Sequence, residues 1–136
     1  MKALVRHGFE EMNKGKAADM AARDERYATD VVYHSGTGED LRGLKANKQN
    51  NSEFFSAFPD IHLTIDDMVA ERDKVVLRYT ATGTNKGAFM GIPPTNKKLT
   101  VWGINIARIA GGKIVEEWER YDSLGMMQQL GVVPTP

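Results

Sequence analysis

The chain has 136 residues, room for one domain with one core and one pocket. Lys and Arg number 18, Asp and Glu also 18, and the zero formal charge argues against nucleic acid or an anionic membrane as the main partner, since both recruit a basic excess. With no Cys there is no disulfide, thiolate nucleophile or Cys-ligated zinc. No apolar run approaches the ~20 residues of a membrane span, and the first ten residues hold no signal-type apolar stretch, so a cytoplasmic location is expected.

Leu4, Val5, Phe9 and Met12 recur at three- and four-residue spacing and predict an amphipathic helix that ends near Gly15. A second helix is expected over Lys16 to Ala28, with Ala17, Met20, Ala21 and Tyr27 as its apolar side. Asp30 to His34 is a short strand, and Ser35 to Asp40 a loop by composition. A third helix opens at Gly43, carries Leu44, Asn47, Asn51, Phe54, Phe55 and Phe58, and is stopped by Pro59.

Beyond Pro59 the period changes to two. Ile61, Leu63 and Ile65 alternate with polar residues, and a turn at Glu71–Lys74 leads into Val75–Thr84. A four-residue turn sets Ala70 opposite Val75 and Asp67 opposite Arg78, which places opposite charges across the hairpin. Gly83 to Lys98, rich in Gly and Pro, is a long loop carrying Phe89, Met90 and Ile92; loops of this length are usually functional. Leu99 to Ile109 and Ile114 to Asp122 form a last hairpin, followed by a short helix, Ser123 to Leu130, with Ser123 as its N-cap and Gly131 as its C-terminal cap. Helices followed by antiparallel strands define an α+β domain over residues 1–136: a curved, mostly antiparallel sheet wrapped around three N-terminal helices, a cone with an internal pocket.

Setting Ile109 opposite Ile114 separates the faces of the last hairpin. Ile114, Glu116, Trp118, Arg120 and Asp122 then share a face with Val101, Gly103, Asn105, Ala107 and Ile109, a mixture that suits a pocket wall. Val115, Glu117, Glu119 and Tyr121 fall with Trp102, Ile104, Ile106 and Arg108 on the outside, where apolar residues suggest a dimer interface. A bulge would exchange these roles. Asp122 has two readings: a helix cap with a lowered pKa, or a pocket acid–base group raised by desolvation against Trp118. His34 is either a pocket acid–base group or structural. No His pair has metal-ligand spacing, so no metal is expected. Met126 and Met127 are expected at the pocket floor.

Five blocks carry a family likeness: Ala57-Phe58-Pro59-Asp60; Gly83-Thr84-Asn85 with Gly87; Gly91-Ile92-Pro93-Pro94-Thr95; Gly112-Lys113-Ile114-Val115-Glu116-Glu117-Trp118; and Asp122-Ser123-Leu124-Gly125 with Gln128-Gln129-Leu130-Gly131. In this order the chain resembles the SnoaL-like polyketide cyclases of the nuclear transport factor 2-like superfamily. The resemblance implies a homodimeric α+β cone with a hydrophobic pocket and no cofactor. It further implies an acid/base Asp at the end of the last strand that removes a proton α to a carbonyl, a position matched by Asp122.

On this reading Asp122 is the general acid/base of a polyketide or ester cyclase-like enzyme, and Asn105 and His34 orient or polarise the carbonyl. Trp118, Phe54, Phe58, Asn85, Phe89, Met90 and Met127 contact a small hydrophobic carbonyl-containing molecule. Two departures stand out: Asn85 replaces the His of the family's Gly-Thr-His, and Asn105 and Ala107 occupy the face where the family places a His beside its Asp. Two other readings stay open, a non-catalytic binding protein and, on the pairing of Arg120 with Asp122, an epoxide hydrolase.

Overall fold

The computed structural model describes residues 1–134. Its elements, in chain order, are α1 (Lys2–Asn13), α2 (Lys16–Arg26), β1 (Tyr27–His34), β2 (Asp40–Arg42), α3 (Leu44–Ala57), β3 (His62–Glu71), β4 (Lys74–Thr84), β5 (Lys98–Ala110), β6 (Lys113–Tyr121) and α4 (Ser123–Leu130). The strands form one six-stranded sheet in the order β2-β1-β6-β5-β4-β3, antiparallel throughout except where β1 lies parallel to β6. The expected α+β cone is therefore present, with the three long helices on the concave side.

The β3–β4 hairpin has the expected register, Ala70 opposite Val75 and Asp67 opposite Arg78. Arg72 takes the left-handed conformation in its turn, at φ 58. At the free edge of the sheet, Asn13 donates from Nδ2 to the Leu63 carbonyl at 2.8 Å and accepts the Leu63 N–H on Oδ1 at 2.7 Å. This amide pins the end of α1 to β3 and satisfies two edge-strand groups. Val5, Met12, Tyr27, Val31, Phe55, Leu63, Val75, Leu77, Tyr79, Ala107 and Ile114 form the main core; Ala57, Phe58, Phe89, Leu99, Met126 and Leu130 form a second cluster under α4.

Three local expectations change. The segment after Ser35 is not all loop: Asp40–Arg42 pairs with β1 as a short edge strand. The second helix stops at Arg26, because Tyr27 turns extended and joins β1. Its inward side is also not the apolar one: Ala17 and Ala21 are exposed, while Asp19, Ala22, Arg23 and Arg26 are buried. Apolar spacing misleads here because the helix presents its charged face to the cone interior.

Candidate functional site

A bulge on β6 decides what the cavity contains. Ile109 pairs with Ile114 as expected, but the next pair is Arg108 with Glu116, so Val115 is an extra residue. An extra residue reverses the side-chain parity of everything that follows. Glu117, Glu119 and Tyr121 therefore point inward beside Ala107, Asn105 and Gly103, and Glu116, Trp118 and Arg120 point outward. The β5 faces are as expected; the β6 faces beyond Ile114 are exchanged.

The cavity holds about 150 Å³. Apolar side chains from α1, α3 and the sheet, among them Val5, Phe9, Phe54, Phe58, Leu99 and Val101, make most of its wall, with Met126 contributing from α4. Set into this wall is a polar line across β4, β5 and β6. Tyr79 Oη donates to Glu119 Oε2 at 2.6 Å, and Asn105 Nδ2 donates to Glu119 Oε1 at 3.2 Å and to Glu117 Oε2 at 3.0 Å. Burial pushes the Glu119 carboxyl up to about 8, against the opposing donation from Tyr79 and Asn105. Burial, and then the Glu119 carboxylate, pushes the phenols of Tyr33, Tyr79 and Tyr121 up as well. All three line the same cavity, so they remain O–H donors at neutral pH.

A second polar group lies at the helical side. Arg23 donates from Nε to Asp19 at 2.9 Å and from Nη1 to Asn47 at 2.7 Å, and Asn51 donates to the same Asp19 carboxylate at 2.5 Å. Asp19 is fully buried; its Oδ2 takes both bonds and its Oδ1 has no partner. Arg23 and Arg26 both lie over the Tyr27 ring, each 5.1 Å from its centre.

The residues singled out from the sequence divide between the cavity and other places. Asn105, Phe54 and Phe58 line it. Phe89 packs on Phe54 and Phe58 behind the wall, at ring-centre distances of 5.3 and 5.4 Å, and Met127 packs in the same cluster. Asp122 takes the cap position, displacing Ser123 from that role: its carboxylate accepts the Gly125 N–H at 2.9 Å at the start of α4 and does not line the cavity.

His34 and Trp118 stack on one another at 5.4 Å on the outer sheet face, carried there by the reversed parity of β6. Asn85 is fully buried and organises the loop that follows it, accepting from Thr95 N and Oγ1 at 2.9 Å and donating to the Gly87 carbonyl at 2.8 Å. Met90 is exposed, at φ 50 in the loop.

Glu117, Glu119, Tyr33, Tyr79, Tyr121 and the α2 arginines are the cavity's polar residues that periodicity missed. A signal for Glu119 was nonetheless in the sequence: Glu117, Glu119 and Tyr121 each stand one residue before Trp118, Arg120 and Asp122, which alternation assigned to the interior, so a one-residue shift delivers all three.

A curved sheet closed by helices over an apolar cavity, with an ionisable carboxyl among phenols and an amide, is a nuclear transport factor 2-like cone with an interior pocket. The profile of the SnoaL-like polyketide cyclases matches residues 3–130, and the chain belongs to that family. Among solved structures it is similar to IdmH of Streptomyces antibioticus, described as a candidate polyketide cyclase (30% identity, 96% of this chain and 98% of that one, TM-score 0.81). It is also similar to TsrD of Streptomyces laurentii (28%, 98% of each chain, TM-score 0.83). AclR of Streptomyces galilaeus, described as a candidate hydroxylase, aligns over 98% of this chain and 96% of its own at 27% identity and TM-score 0.85. No functionally curated protein matches. Among the described residues no helix is long and apolar enough to cross a membrane.

Proposed function

We propose that the protein is a cyclase-type acid/base enzyme, working without a cofactor on an apolar carbonyl compound, with Glu119 rather than Asp122 as the proton-transferring group. The observation that carries this reading is a carboxyl raised to about 8 inside an apolar cavity while hydrogen-bonded to Tyr79 and Asn105. A desolvated carboxylate is a stronger base than one in water, and its operating range lies near neutrality, where proton transfer to and from carbon is best served. The base form of Glu119 takes the proton α to the carbonyl, and phenol O–H groups beside it stabilise the enolate oxygen that forms. Asn105, expected from the sequence to orient the carbonyl, orients Glu119 instead in this reading. Trp102 and Ile104, exposed on the outer face beside Ile106 and Trp118, support a homodimer through that face.

The test is deuterium uptake from D2O at the α-carbon of 1-phenyl-2-propanone, followed by proton NMR. The wild-type protein should accelerate uptake, more strongly as pH rises through about 8. Glu119→Gln should slow it by about 10²–10⁴-fold. Uptake no faster than in buffer, or unchanged in Glu119→Gln, would overturn the assignment.

A further inference from the structure

Arg26 is 5% exposed and lines the cavity, yet its guanidinium makes no hydrogen bond or ion pair among the described residues, and its buried Nε has no partner. Most other charged and amide groups of this region have partners, although Asp19 Oδ1 has none. Arg23 holds Asp19 and Asn47, Asn51 also holds Asp19, Glu117 is held by Asn105, and Glu11 by Lys14. The face of Tyr27 and the backbone at Gly8 pack on Arg26, and Glu11 feels its charge, but neither a ring face nor a charge at a distance takes its N–H donors.

A buried charge without a hydrogen-bonding partner is costly, and a ligand carboxylate would remove that cost. The chain also makes room for this group. A Cβ at Gly8 of α1 would run into the Arg26 guanidinium, so glycine there lets the group approach the helix closely.

We propose that Arg26 is the anchor for a carboxylate on the ligand, so that the cavity takes a small apolar acid rather than a neutral carbonyl compound alone. This deepens the reading above by naming the substrate class of the same cavity. A guanidinium offers a planar fork that matches a carboxylate with two parallel hydrogen bonds, strengthened by the apolar surroundings. Along β6 the inward side chains run from Ile114, which pairs with Tyr27, through Glu117 to Glu119. The anchor therefore lies at the Tyr27 end of the cavity, with Glu117 between it and Glu119. A ligand held there by its carboxylate extends its apolar body toward Glu119. A cavity of about 150 Å³ suits one aromatic ring.

The probe pair is benzoate and benzamide, equal in shape and different in charge, with binding measured by calorimetry and folding checked by circular dichroism. Wild-type protein should bind benzoate at least tenfold tighter than benzamide. Arg26→Met should erase that preference, and Arg26→Lys should reduce it while keeping the charge and most of the buried stem. Gly8→Ala, which displaces the guanidinium without removing it, should reduce it too. If Arg26→Met does not fold, the Lys and Gly8 variants decide. No binding of benzoate, equal affinity for the two probes in wild type, or an undiminished preference in the folded Arg26 variants would overturn the proposal. These readouts are affinities and the Glu119 test is a rate, so either assignment can fail without the other.

Discussion

Tyr79 Oη donates a 2.6 Å hydrogen bond to the Glu119 carboxylate across the interior of the sheet, from β4 to β6, past the intervening strand β5. The bond spans that strand because Gly103, which lies between Tyr79 and Tyr121 in the ladder, has no side chain. A Cβ at Gly103 would collide with the Tyr79 hydroxyl and with the Arg120 carbonyl.

Removing the Tyr79 donor should raise Glu119 further, because that bond favours the ionised form. In a carbon-13 NMR titration of the Glu119 carboxyl, the wild-type midpoint is expected near 8 and that of Tyr79→Phe above it. Gly103→Ala should shift the midpoint the same way and cost about 1–3 kcal/mol in overpacking. It should cost less in a Tyr79→Phe background, where the colliding hydroxyl is gone, a coupling that a double-mutant cycle measures.

Glu119 also sets a pH dependence of stability. Its folded pKa, about 8, lies above the ordinary 4.5, so between those values the native state holds a proton that the unfolded state has released. Stability should therefore fall as pH rises through that window. Urea midpoints at pH 5, 7 and 9 should show the decline in wild type and a flatter profile in Glu119→Gln, whose amide stays neutral.

Asp122 caps α4, and Asn caps as well as Asp does. Asp122→Asn should leave stability nearly unchanged, whereas Asp122→Ala should cost about 0.5–2 kcal/mol. Both should keep wild-type deuterium uptake. A large loss of uptake in the well-folded Asn variant would return the acid/base role to the position that the family resemblance suggested.

On the outer face, His34 Nε2 meets Glu116 and Nδ1 meets Asp40, each at 2.7 Å, and Glu116 is also held by Arg108. An imidazole can donate to both carboxylates only when doubly protonated. Glu116 first, and Asp40 next, raise its pKa above 6.5. The raised pKa stabilises the fold fully below about 6.5, and the contribution disappears as pH rises past the folded value. Thermal melts of His34→Gln should accordingly fall short of wild type at pH 5.5 and converge with it at pH 9.

The exposed Trp102 and Ile104 give the dimer proposal its test. Trp102→Glu combined with Ile104→Lys should convert a sedimenting dimer to monomer with the fold intact. A wild-type protein that sediments as a monomer at tens of micromolar would exclude this interface.

Much of this protein could be read without coordinates. Period-three-and-four spacing located α1 and α3, period-two alternation located long strands beyond Pro59, and the β3–β4 register followed from turn length and one charge pair. Those features are local, and backbone geometry imposes them wherever the residues sit. Tertiary structure decided the rest. The bulge at Val115 reversed β6 after Ile114, exchanging Trp118 for Glu117 and Glu119 in the cavity, because parity is inherited along a strand and one extra residue inverts all that follows. Likewise α2 turned Asp19, Arg23 and Arg26 inward and left Ala17 and Ala21 outside, and Asn47 and Asn51 of α3 supply partners to Arg23 and Asp19. Such long-range compensation leaves no period in the sequence that supplies it.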